Sequence, residues 1–148
     1  MRTIKRIIVH YTGAAASQTV ESIQRYWKQA HPDWKGTPGY HVIIAADGTA
    51  TRLQPDEKIT YGVAGFNATA LHVCFIGDGA FTAAQEATLL KRVRYWKGLY
   101  PHAAVVGHRD LSPDRDGDGL VEPHEWLKAC PGFDTKAWCK ANAIKQTA

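Results

Sequence analysis

The sequence predicts an α/β fold: one domain over residues 1–148, with a central mixed β-sheet flanked by helices. Three observations carry this. Short β-rich runs alternate with stretches of helical period. The run Leu71-His72-Val73-Cys74-Phe75-Ile76-Gly77 is continuous, mostly apolar and of strand length, as in a central strand covered on both faces. The 148 residues, 45% apolar and 22% charged, suit one globular core and leave little room for a second.

The elements follow in order. Ile4, Ile7, Ile8 and Val9 make a first strand ending at His10, because Tyr11-Thr12-Gly13-Ala14-Ala15-Ala16 is too small and loose to continue it. Ser17 or Thr19 caps a helix whose apolar positions Val20, Ile23, Tyr26, Trp27 and Ala30 fall on one face, and His31-Pro32 stops it. After a loop from Pro32 to Gly39, Tyr40–Ala45 and Thr49–Leu53 read as a hairpin about the turn Asp47-Gly48. The polar segment Asn67–Ala70 leads into the central strand. Thr82 and Gln85 form a capping box for a long helix with Leu89, Val93, Trp96 and Tyr100 on one face, closed by Pro101. A short strand, Ala103–Gly107, ends at His108, and Asp134 caps a last helix running to about Ile144.

Charge is unevenly spread. The formal net charge is +4, yet residues 109–125 hold six of the fourteen acids and two bases, leaving +8 on the rest. A basic body suits an anionic partner such as cell wall, lipid headgroup or nucleic acid; the acidic stretch suits a cation. No run approaches the roughly 18 apolar residues that cross a bilayer, and the charged start Met1-Arg2-Thr3-Ile4-Lys5-Arg6 gives an expectation of cytoplasmic synthesis without a signal peptide. Cys74, Cys130 and Cys139 are too few for a disulfide framework, so a reduced fold with an employed thiol is expected.

Two histidines share a context. His10 and His108 each follow a short apolar strand and precede a small polar loop, and strand ends converge on one sheet edge. Cys130 lies on a turn, in Lys128-Ala129-Cys130-Pro131-Gly132-Phe133-Asp134. Together they make a His/His/Cys set with one position left open, as a catalytic zinc requires.

Five segments carry a resemblance. Ile8-Val9-His10-Tyr11-Thr12, Gly39-Tyr40-His41-Val42-Ile43, Asn67 with His72–Gly77, Gly107-His108-Arg109-Asp110-Leu111-Ser112-Pro113 and Lys128–Asp134 together resemble the successive motifs of the type 2 N-acetylmuramoyl-L-alanine amidases. That family includes zinc-dependent phage lysozyme-amidases and peptidoglycan recognition proteins. The resemblance implies zinc (Zn2+) on His10, His108 and Cys130, with Tyr40 and Lys128 at the open coordination site and Asn67 toward the substrate. Hydrolysis of the amide between N-acetylmuramic acid and L-alanine would need an activated water and a stabilised oxyanion, roles suited to a metal, an ammonium and a phenol. Which of Tyr40 and Lys128 shuttles the proton stays open; taken alone, Tyr40 reads equally as a packed aromatic and Lys128 as a solvated cation. The implied partner is peptidoglycan rather than nucleic acid, with the protein a monomer; the +8 body, independently of the resemblance, suggests weak contact with anionic wall or lipid through the helix face of Lys91, Arg92, Arg94 and Lys97. The setting implied is a single-domain phage or prophage endolysin acting on the cell wall. A muropeptide-recycling amidase and a non-catalytic binding or regulatory module are the alternatives, and Cys130 argues against lost chemistry.

The sequence departs from the family pattern twice. Tyr61–Phe66 lacks the substrate-facing histidine that many members carry there. Between Pro113 and Lys128 lies an insertion whose residues 114–125 fit a twelve-residue calcium (Ca2+) loop: Asp114, Asp116 and Asp118, then Gly119, the Leu120 carbonyl, Glu122 through water, and Glu125. Pro113 disfavours an incoming helix, so an EF-hand-like loop stripped of its first helix is expected.

Overall fold

A computed structural model describes residues 2–146. The strands are β1 (Arg6–Tyr11), β2 (Val42–Ile44), β3 (Ala50–Arg52), β4 (Ala70–Phe75) and β5 (Ala104–Gly107); the helices are α1 (Val20–Ala30), α2 (Ala83–Leu99) and α3 (Thr135–Ala141). The strands form one mixed sheet in the order β3-β2-β4-β1-β5. β4 runs parallel to β1 and β2, β5 runs parallel to β1, and only β3 is antiparallel to its neighbour. All six β4 residues are buried, as expected for the central strand.

Local chemistry sets the boundaries. Thr19 is the cap of α1, accepting from the Ser22 N–H, while Ser22 answers to the Thr19 N–H. Thr82 and Gln85 form the expected capping box of α2, and Gln85 Nε2 also donates to the carbonyls of Ile44 and Ile76, tying the helix start to the sheet. Asp134 caps α3 through the Ala137 N–H. The hairpin exists but its ladder is shorter than the sequence pattern suggests, at three residues a side, with Gly48 at φ +86 in the turn. The last helix also ends early, at Ala141 rather than Ile144. Ala143 takes φ +55, and the chain folds back so that Ile144 N–H meets the Cys139 carbonyl.

The sheet separates two apolar clusters. On one face Ile7, Val9, Val42, Ile44, Leu71, Val73, Phe75 and Val105 pack with Leu89, Val93 and Trp96 of α2 and Cys139 of α3. On the other, Ile43, Cys74 and Ile76 pack with Ile23 of α1. Alternation along a strand puts His10 and His72 on the α1 face, so that layer is thinner in apolar residues and richer in imidazoles.

Candidate active site

His10, the penultimate residue of β1, sits opposite Cys74 of β4, and His108 follows β5 directly. Cys130 arrives from the loop before α3. That loop is pinned to the strand ends, because Arg109 N–H donates to the Cys130 carbonyl at 2.7 Å and Tyr11 N–H to Cys130 Sγ at 3.3 Å. Gly107 permits the approach: a Cβ there would lie 2.6 Å from Pro131 Cδ and 2.8 Å from Thr135 Oγ1.

One potential ligand atom from each of His10, His108 and Cys130 lies within 4.8 Å of the other two. His10 Nδ1 and Cys130 Sγ are 3.6 Å apart. Tetrahedral zinc with bonds of about 2.3 Å to sulfur and about 2.05 Å to nitrogen separates those atoms by about 3.6 Å. The donor set, two nitrogens and one sulfur, suits a borderline-soft divalent ion. Burial keeps all three groups neutral. It lowers His10 well below the ordinary imidazole value and His108 to about 4, each helped by the Lys128 charge, and pushes the Cys130 thiol up to about 12. Bare imidazole nitrogens are what a metal needs; the thiol has to release its proton to solvent as the cation binds.

Tyr40 and Lys128 flank this cluster. The half-buried Tyr40 ring lies 4.8 Å from the His10 ring between centroids, and 5.6 Å from Trp27. Burial and the Cys74 and Cys130 thiols raise its phenol well above the usual value, so it stays an O–H donor. Lys128 is exposed, and its positive charge reaches His10, His108 and Cys130 alike. Beyond Tyr40, a cleft of about 780 Å³ runs between α1 and the loop 32–38, lined by Arg25, Trp27, Lys28, His31 and Trp34. Trp27 joins it to the site through Tyr40; His10, Tyr40, His108, Lys128 and Cys130 do not themselves line it.

The sequence profile of the N-acetylmuramoyl-L-alanine amidases matches residues 1–133. The chain belongs to that family. An uncharacterised protein of Haemophilus influenzae is 38% identical over 106 residues, covering 66% of this chain and 91% of its own. The endolysin of Klebsiella phage KP32 is 29% identical over 149 residues, covering 94% and 87%. Among solved structures, the N-acetylmuramoyl-L-alanine amidase LysC of Clostridium intestinale superposes with a TM-score of 0.76 at 24% identity, over 97% of this chain and 88% of that one, a likeness of fold. The chain is therefore an amidase acting on peptidoglycan.

Asn67, expected toward the substrate, turns inward in the amidase. Its Oδ1 accepts from Val63 N–H and from His72 Nε2, both at 2.9 Å, and His72 Nδ1 lies 2.9 Å from His10 Nε2. The sequence reading passes over His72, which is wholly buried in β4. A histidine inside an otherwise apolar strand was the available signal.

The insertion is built from backbone-to-carboxylate turns. Asp114 accepts from the N–H groups of Gly117 and Gly119 at 3.0 and 2.8 Å, Asp116 from Asp118 and Asp118 from Leu120. Asp114, Asp116 and Asp118 each offer an oxygen within 4.8 Å of the others. Glu125 is buried, and its oxygens accept from the N–H groups of Arg115, Asp116 and Glu122. Its carboxylate groups with Asp116 and His124. The Glu122 carboxyl is raised by its hydrogen bond and charge repulsion with Asp118. Neither flank is an α-helix: His108–Leu111 and Pro123–Glu125 are single 3-10 turns.

Proposed function

We propose that the amidase holds one zinc ion through His10, His108 and Cys130 and cleaves the bond between N-acetylmuramic acid and L-alanine with Tyr40 and Lys128 at the open position. The observation that carries this is the meeting of two bare imidazoles and a thiol within 4.8 Å, with a sulfur–nitrogen spacing that matches a tetrahedral edge. A zinc ion held there supplies Lewis acidity to the scissile carbonyl and acidifies the attacking water. Lys128 opposes the negative charge that develops on the carbonyl oxygen, and the Tyr40 phenol donates a hydrogen bond toward it. Water adds its hydroxyl to the carbonyl carbon and its proton ends on the departing L-alanine nitrogen. The cleft beyond Trp27 receives the rest of the substrate, with aromatic faces for sugar rings and Arg25, Lys28 and Lys35 for carboxylates.

The setting we propose is host-wall degradation by a monomeric phage or prophage endolysin, supported by the endolysins among its relatives. Calcium on Asp114, Asp116, Asp118 and the Leu120 carbonyl, with Glu122 through water and Glu125 closing the loop, is a second proposal. It requires Glu125 to give up amide contacts.

Metal analysis of purified protein, combined with product analysis on sacculi and on soluble muropeptides, tests the reading. The expected result is one zinc per chain, new L-alanine amino groups and no new reducing ends, with activity lost to a strong chelator and restored by zinc. Full activity and stoichiometric zinc in Cys130→Ser would overturn the ligand assignment. Preference for soluble muropeptides over sacculi would overturn the endolysin setting.

A further inference from the structure

Behind His10 each hydrogen bond has only one polarity open to it. The Val63 N–H can only donate, so the Asn67 side-chain atom it meets is the oxygen. That oxygen can only accept, so His72 Nε2 carries the proton in their 2.9 Å contact. His72 is fully enclosed, and its side-chain partners, Asn67 and His10, include no carboxylate to balance a second ring proton. His72 Nδ1 is therefore an acceptor, and the 2.9 Å contact with His10 Nε2 draws its proton from His10. His10 is left with Nδ1 bare, and Nδ1 is the atom 3.6 Å from Cys130 Sγ.

We infer that Asn67 and His72 are positioning residues that fix the tautomer of His10 and so present Nδ1 to the metal; the metal part of this rests on the zinc reading above. Gly62 completes the device. A Cβ on Gly62 would lie 2.3 Å from His72 Nδ1 and 2.5 Å from Cε1, so the ring can reach His10 only while residue 62 has no side chain. The opposite tautomer of His10 would point an N–H at the thiol and set two lone pairs facing each other at Nε2 and His72 Nδ1. Supporting hydrogen bonds of this kind change metal affinity about 10- to 100-fold.

Nitrogen-15 NMR of the metal-free amidase reads the tautomers directly, since protonated and bare imidazole nitrogens resonate far apart. We expect Nε2–H with bare Nδ1 in both His10 and His72; a proton on His10 Nδ1 overturns the inference, whatever the protein does with zinc. Chelator competition then measures zinc affinity. His72→Phe and Gly62→Ala should weaken binding about 10- to 100-fold, whereas His72→Gln, whose amide oxygen can accept from His10 and whose NH2 can donate to Asn67, should stay near the wild type. Affinities indistinguishable across wild type, His72→Phe and Gly62→Ala overturn it, as does His72→Gln falling with His72→Phe. If His72→Phe does not fold, Gly62→Ala against His72→Gln makes the same comparison. Absence of zinc binding by the wild type would remove the zinc reading and leave the tautomer test standing.

Discussion

His41 makes the stability of this amidase fall with acid in a way one substitution can expose. Its ring is fully buried: Nε2 donates to the Lys58 carbonyl at 2.8 Å, and Nδ1 accepts from the His72 N–H at 3.1 Å. A second proton would set an N–H against an N–H, beside Arg2 Nη2 at 3.2 Å from Nε2. Burial, with Arg2 adding to it against the Lys58 carbonyl, brings the ring from 6.5 down to about 4. The folded value lies below the unfolded one, so the unfolded chain takes the proton first as pH falls. The stability is present in full above about 6.5 and is lost as pH falls toward 4, with a limiting loss of about 3 kcal/mol and about 2 kcal/mol already gone at pH 5. Against a total of roughly 5–15 kcal/mol this is a large share. In His41→Asn the amide oxygen can accept from His72 N–H and nothing titrates. That variant should be about 1 kcal/mol less stable at pH 7.5, through the lost bond to Lys58, yet lose about 2 kcal/mol less on acidification to pH 5. Urea titrations of the metal-free forms at intervals across that range measure both. Parallel stability curves for the two proteins would refute the argument.

Three further outcomes are expected. Tyr40→Phe and Lys128→Ala should each slow turnover on the order of a hundredfold while retaining zinc and the native melting temperature; wild-type rates would reduce both to structural residues. Calcium should raise the melting temperature, and Asp114→Ala should abolish that response; calorimetry without a binding signal in the wild type would make the loop a plain acidic insertion. Removing the charges of Lys91 and Arg94 should reduce lytic activity at low salt if the basic face draws the enzyme to anionic surfaces, whereas Lys97→Ala should instead cost about 1 kcal/mol in urea, because Lys97 Nζ donates to the Pro101 and Ala103 carbonyls at 2.8 Å each.

Features governed by near neighbours in the chain were legible in the sequence. Thr19, Thr82 with Gln85, and Asp134 cap helices because side chain and amide lie three residues apart. His10 and His108 could be paired because parallel strands bring their ends to one edge. What escaped the sequence depends on partners far along the chain or on backbone paths. His72 reads as one polar residue in a buried strand until β1 is laid beside β4 and its ring meets His10. Glu125 reads as the closing ligand of a calcium loop, and the sequence does not show that the loop curls back so that its oxygens accept from three amides. Lys97 reads as one of four cations on a basic helix face, although the turn after α2 brings two carbonyls to its ammonium. Ladder ends escaped as well, since alternation continues past the last paired residue of β2 and β3.

The sheet order also dictates the sequence in which the clustered donors can come together. β1 precedes the other strands along the chain but occupies an interior place, so Arg6 must wait for Ala70 on one side and for Ala104 on the other. Until then both of its edges carry unpaired N–H and C=O groups open to other pairing. His10 is made early, His108 about a hundred residues later, and Cys130 later still. A nascent or truncated polypeptide ending before Cys130 lacks one of the three clustered donors, however well its sheet has formed. The cluster can thus close only once the chain has been made through Cys130 and the loop before α3 has docked on the strand ends.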